Sequence, residues 1–150
     1  MTKNLDKEGL SSIVDNYQLF YVDLWGVVHN GISLHLEAIK VLKEITKKKK
    51  DYILLTNAPR PNSTVKIFLE KLGMEKEIRD HVFTSGEAAV GYLRMNLSDK
   101  TFFHVGPPRD FDLFKDFKKV KSDNIKNCDY ILCTGLFDGY DEDLKYYKNL

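Results

Sequence analysis

Apolar residues in this chain gather in short runs, and between the runs they recur at helical spacing. The segments Gln18–Leu24 (QLFYVDL), Asp51–Thr56 (DYILLT), His81–Phe83, Thr101–Val105 and Asp129–Thr134 (DYILCT) read as buried strands. After the first of these, Leu36, Ile39, Leu42 and Ile45, widened by Ala38 and Val41, predict a helix face, with Ser33 placed to cap it. Pro59 and Pro61 stop the second strand and open a helix whose apolar positions are Val65, Phe68, Leu69 and Leu72, ended by Gly73. Thr84 and Glu87 have capping-box spacing for a helix through about Leu97. Phe111, Phe114 and Phe117 predict a short amphipathic helix, and the acids Asp141–Asp143 open a last one. Strands alternating with helices predict an α/β fold with a mainly parallel sheet. The likeness of DYILLTN to DYILCTG is read as two buried parallel strands converging on similar runs.

Composition narrows the field. The 150 residues are enough for a real core, and 43% are hydrophobic. Lys plus Arg number 23 against 22 acids, a net charge of +1, so no nucleic-acid partner is expected. The basic run Lys47–Lys50 falls at a predicted helix end, where cations favour the macrodipole. Cys128 and Cys133 flank a strand and so stand too far apart for a relaxed disulfide; buried, reduced thiols are expected. No signal-like leader or bilayer-length apolar run occurs, which predicts a soluble, cytoplasmic protein without a membrane partner.

Ligands of open α/β sheets gather at the carboxyl ends of the strands. One strand here ends in Asp23, followed by Gly26 and Gly31, and another ends in Thr56-Asn57. A carboxylate at such a place can attack phosphorus and form an acyl phosphate that water cleaves. Glycines let backbone N–H groups approach phosphoryl oxygens, and a Thr hydroxyl and an Asn amide can donate to them. Each residue also has a plainer reading: Asp23 as a turn residue, Thr56 and Asn57 as caps, Arg60 as a solvent-exposed loop arginine. His29 and His35 read as surface or loop residues, and His81 and His104 as core or edge histidines without metal-ligand partners.

The order of the motifs adds to this. YVDLWGVVHNG followed by DYILLTNAPR resembles the first two motifs of the haloacid dehalogenase superfamily, hhhhDxDGxxxxG and a strand ending in Ser or Thr, commonly then Asn. VFTSGEAAVGYL and ILCTGLFDGYDEDLKYYKNL are similar to the subgroup with a large cap inserted after the second motif, which includes nucleotide and pyridoxal phosphate phosphatases. The resemblance implies a Rossmannoid parallel sheet forming a partial core over residues 1–85 and the start of an α/β cap over 86–150. It implies an Mg²⁺-dependent hydrolase of a phosphorylated small molecule. Asp23 would be nucleophile and metal ligand, the Trp25 backbone carbonyl a second ligand, and Thr56 a catalytic residue. Gly26, Thr56, Asn57 and Arg60 would join Asp23 around the phosphoryl group.

Two departures qualify that expectation. Phosphatases of the family carry a second aspartate where Trp25 stands, and that aspartate is their general acid and base. Indole cannot take that part. Dehalogenase and phosphonatase branches also replace it, and Trp25 could equally be a packing residue in a non-catalytic descendant. Second, the family's third and fourth motifs, a lysine and a pair of acids, do not follow Leu132 in a strand context. The chain is therefore expected to be a truncated, inactive portion, with the first strand's edge unpaired and open to homo-oligomer formation. The competing expectation is a non-enzymatic binding or assembly domain. A Rossmann-type dinucleotide binder is disfavoured, because no GxGxxG follows the first strand.

Overall fold

The computed structural model describes residues 5–139 and 144–149. In chain order the elements are α1 (Leu5–Glu8), β1 (Leu19–Asp23), α2 (Leu36–Lys47), β2 (Asp51–Thr56), α3 (Asn62–Lys71), α4 (Lys76–Arg79), β3 (Val82–Thr84), α5 (Ser85–Asn96), β4 (Phe102–Val105), β5 (Lys121–Ser122), β6 (Tyr130–Cys133) and α6 (Leu144–Lys148). Short 3₁₀ turns fill Leu10–Ser12, Val14–Asn16 and Ile125–Asn127, and a longer 3₁₀ segment covers Pro108–Val120. The fold is α/β, but its strands form two three-stranded sheets, β1-β2-β3 and β5-β4-β6. The chain divides into two compact units, residues 1–56 with 63–83 and residues 57–62 with 84–150.

In the first unit β1 and β2 run parallel, with Leu19 opposite Asp51 and Asp23 opposite Leu55. The apolar runs that predict these strands alternate across the sheet, and Tyr52, Leu54 and Thr56 of β2 are all buried. Leu42 and Ile45 of α2, Val65 and Leu69 of α3, and Met74 and Ile78 complete the core. Gly73, at φ 86°, ends the α3 region in a backbone conformation that favours glycine. Ser33 does not cap α2. His35 precedes the helix without a side-chain cap, and Ser33 instead donates its N–H to Asn30 Oδ1 at 2.9 Å, in a turn built by the asparagine side chain. Among the described residues β1 has β2 as its one strand partner.

In the second unit β4 is central and parallel to both neighbours. Val90 and Leu93 of α5 pack with Phe102, Leu113, Phe114 and Phe117. The segment carrying Phe111, Phe114 and Phe117 is 3₁₀ with a kink at Phe114, not α-helical. A repeat of three suits the 3₁₀ helix, in which positions i and i+3 eclipse. Phe114 and Phe117 are buried, while Phe111 stays largely exposed. The two cysteines are free, as expected, but they are not buried: Cys128 is half-buried and Cys133 exposed. Strand β6 alternates half-buried and exposed positions, and Cys133 falls on the exposed side with Ile131. The acids Asp141–Asp143, expected to open the last helix, lie outside the described residues.

Candidate active site

Asp23 closes β1 as an exposed carboxylate, opposite Leu55 in the parallel ladder. Thr56, one residue beyond Leu55, closes β2 and is buried. Parallel pairing therefore brings Asp23 and Thr56 to neighbouring carboxyl ends, where α/β sheets receive ligands. Asn57 follows Thr56 directly in the chain.

The loop after Asp23 is held by its own backbone. Leu24 is buried, and its carbonyl accepts from the N–H groups of Val27, Val28 and His29 at 3.3, 2.9 and 3.2 Å. Gly26 takes φ 78° and donates its N–H to the His29 carbonyl at 2.8 Å. That bond occupies the Gly26 N–H, which the sequence offers to a phosphoryl group.

His29 lies in the loop after β1, as one of the two expected placements has it, but it is buried, at 4% exposure. Its Nδ1 accepts the Gly31 N–H at 3.0 Å, so the ring proton of the neutral imidazole sits on Nε2. Burial lowers its pKa, His35 lowers it further, and the Asp23 carboxylate opposes both. The ring stands edge-on to Trp25 and to Phe68, each with centroids 5.5 Å away. Trp25 also lies against Gly31: a β-carbon there would fall 2.6 Å from Trp25 Cη2. The indole is 64% exposed nevertheless.

The segment after Thr56 is tied to the start of α5. Thr84 Oγ1 donates to the Arg60 carbonyl at 2.6 Å and accepts from Glu87 N–H at 2.9 Å. Asn62 Oδ1 accepts the Thr84 N–H, and Asn62 N–H donates to Glu87 Oε2, both at 2.9 Å. The expected capping box is thus half local. Glu87 turns its carboxylate to Asn62 rather than back to Thr84. Gly86 passes so close that a β-carbon would meet the Arg60 backbone at 2.4–2.7 Å. The Arg60 guanidinium lies 3.6 Å from the carboxylate of Asp110, which is 3% exposed. Neither Asp110 nor Gly86 is flagged by the sequence, because each acts through a residue far away along the chain.

Magnesium takes a near-octahedral set of oxygen ligands. Among the described residues no three His, Cys, Asp or Glu side chains come together as a metal site. Asp23 with the Trp25 carbonyl does not by itself fit such an ion. His81, stacked on Tyr52, and His104, buried beside Thr134, have no metal-binding partners among the described residues either.

The family model described as haloacid dehalogenase-like hydrolase matches residues 20–118, which span both strand-end motifs. The chain belongs to the haloacid dehalogenase-like hydrolases. A solved hydrolase of this family from Brucella suis 1330 is 30% identical and superposes with a TM-score of 0.78 over 93% of this chain and 51% of its own. A 4-nitrophenylphosphatase from Thermotoga maritima, 22% identical, shares the fold with a TM-score of 0.63 over 91% of this chain and 49% of its own. A glycerol phosphate phosphatase from Mycobacterium tuberculosis, solved with calcium, is 19% identical with a TM-score of 0.60, over 91% of this chain and 39% of its own. The chain thus spans about half the length of the first two of these relatives and less of the third. No curated protein sequence matches it.

Proposed function

We propose that the protein is a phosphatase-like hydrolase of phosphorylated small molecules with Asp23 as its nucleophile. The observation that carries this reading is the exposed Asp23 carboxylate at the carboxyl end of β1, in register with Leu55, the residue before Thr56. A carboxylate oxygen of Asp23 attacks phosphorus, the ester oxygen leaves, and water then cleaves the aspartyl phosphate. Thr56 and Asn57 donate to the phosphoryl oxygens. Arg60 is included in this reading by the family resemblance alone; its guanidinium is paired with Asp110. Mg²⁺ belongs to this reading. Asp23 and the Trp25 carbonyl would contribute to its shell, with the remaining ligands supplied from outside the described residues.

The described residues do not assemble a metal site, and Trp25 stands where a proton donor is needed, so the 150-residue chain is proposed to be inactive by itself. A cytoplasmic location is part of this proposal; no described helix is long and apolar enough to cross a membrane. The test is phosphate release by the product of the longest open reading frame containing this sequence. Mg²⁺-dependent release that is lost in Asp23→Asn supports the proposal. Activity undiminished in that variant overturns it. The exposed Trp25 and the free edge of β1 favour a second reading, a binding or assembly domain that keeps the fold without the chemistry. A complete absence of phosphate release would favour that one.

A further inference from the structure

Thr84 caps α5 and Ser85, Gly86 and Glu87 begin it, and every one of the four also bonds to the segment that follows β2. The Ala58 carbonyl accepts from Ser85 Oγ and from the Gly86 N–H, each at 3.1 Å. The Arg60 carbonyl accepts from Thr84 Oγ1. Asn62 is held twice, its N–H by the Glu87 carboxylate and its side-chain oxygen by the Thr84 N–H. Gly86 lets the helix start lie directly against the Arg60 backbone, where no β-carbon would fit.

The sequence of the segment explains why it needs outside partners. Pro59 and Pro61 have no N–H, so the segment is short of donors with which to close a turn of its own. The first N–H groups of α5 have no acceptor within their helix. One of them, from Gly86, goes to Ala58, and the hydroxyls of Thr84 and Ser85 supply the rest. These bonds begin one residue past Asn57. On its other side Thr56 is buried and ends β2. Asn57 is therefore an exposed residue bracketed in the chain by a strand end and a fixed carbonyl. An amide stabilises phosphoryl charge best when it is aimed before the anion arrives, since aligning it afterwards costs binding free energy.

We propose that Thr84–Glu87 is a positioning element for Asn57, with Ser85 and Gly86 as its positioning residues. By holding the Ala58 carbonyl they fix the direction in which the Asn57 amide meets a phosphoryl oxygen. This rests on the phosphoryl-binding reading of Asn57. The element itself does not touch the phosphoryl group; its effect passes along the main chain from Ala58 to Asn57.

The test is a double-substitution cycle on the product of the longest open reading frame containing this sequence. Binding of inorganic phosphate is read by calorimetry in buffer containing Mg²⁺, and folding by the urea midpoint. Asn57→Ala is expected to weaken phosphate binding about tenfold, or about 1.4 kcal/mol, the loss of a hydrogen bond to a charged oxygen. Gly86→Ala, whose methyl displaces the Arg60 backbone, is expected to weaken it about as much, and Ser85→Ala about threefold. Ser85→Thr, which keeps the hydroxyl, is expected to bind as the unaltered protein does. In an Asn57→Ala background neither Gly86→Ala nor Ser85→Ala is expected to weaken binding further. A clamp that only stabilised the fold would lower the urea midpoint and leave the affinity of the folded protein alone. Losses that add to that of Asn57→Ala overturn the proposal, because the element would then act by another route. Unchanged affinity in Ser85→Ala and Gly86→Ala also overturns it and leaves the phosphoryl site standing. If Gly86→Ala fails to fold, Ser85→Ala and Ser85→Thr decide by themselves. No phosphate binding by the unaltered protein, or full affinity in Asn57→Ala, overturns the reading of Asn57 and the positioning role together.

Discussion

His104, at 6% exposure, makes one ring nitrogen a partner of Thr134 Oγ1 at 2.8 Å and packs edge-on to Phe111 and tilted against Phe114. Burial lowers its pKa; Asp110 opposes this and Lys121 adds to it. The folded ring therefore holds its proton less tightly than the unfolded chain, whose value is 6.5. Its contribution to stability is complete above that value and is lost as the pH falls from there through the folded pKa. The urea midpoint is expected to drop between about pH 7.5 and about pH 5.5. Much of that drop should disappear in His104→Gln, and some should persist because His29 is shifted in the same direction. An NMR titration placing His104 above 6.5 would contradict this. The sequence left His104 as a core or edge histidine, and its neighbours were not legible, since Thr134 and Asp110 reach it from other elements.

The start of α5 does two jobs with few residues. Thr84 caps the helix and also holds the Arg60 carbonyl, while Gly86 makes room for the Arg60 backbone. Two effects compete in Gly86→Ala. Helix propensity favours alanine by about 1 kcal/mol. Steric conflict opposes it: the new methyl would sit 2.4 Å from Arg60 N, a backbone atom that cannot swing aside. Overpacking of this kind costs about 1–3 kcal/mol or more, so the variant is expected to be less stable, as a lowered urea midpoint. A higher midpoint would show that the segment after β2 yields easily. The Thr84–Glu87 spacing revealed the cap from sequence. The role of Gly86 appears only when the segment 57–62 comes to lie against it.

For the molecule as a whole, the edge of β1 that no described strand covers matters most. Leu19 and Tyr21 are exposed there, and a groove of about 430 Å³ runs beside the strand between Leu10, Phe20, Val22, Val41 and Ile45. An edge strand beside an apolar groove is a template for pairing with another chain. The 150-residue chain is expected to self-associate in sedimentation, and Tyr21→Lys, which adds a charge to that edge, to shift it toward monomer. A monodisperse wild-type monomer would count against this. The same edge bears on the functional proposal, because Asp23 closes β1 and lines the groove.

The sequence by itself determined the type and order of the larger elements, since hydrophobic periodicity is a local property. β1, β2, α2, α3, α5, β4 and β6 all fall on the patterns that predict them. It also determined family membership, through YVDLWGVVHNG and DYILLTNAPR, two motifs whose residues are contiguous. The two-residue strand β5 and the four-residue helix α4 are too short to show any period. Only the tertiary structure decided that the strands form two sheets, that His29 is buried beneath Trp25, and that Arg60 answers to Asp110. These depend on register and on contacts between residues distant along the chain. Apolar spacing fixes which side of an element is buried, but not the partner it is buried against.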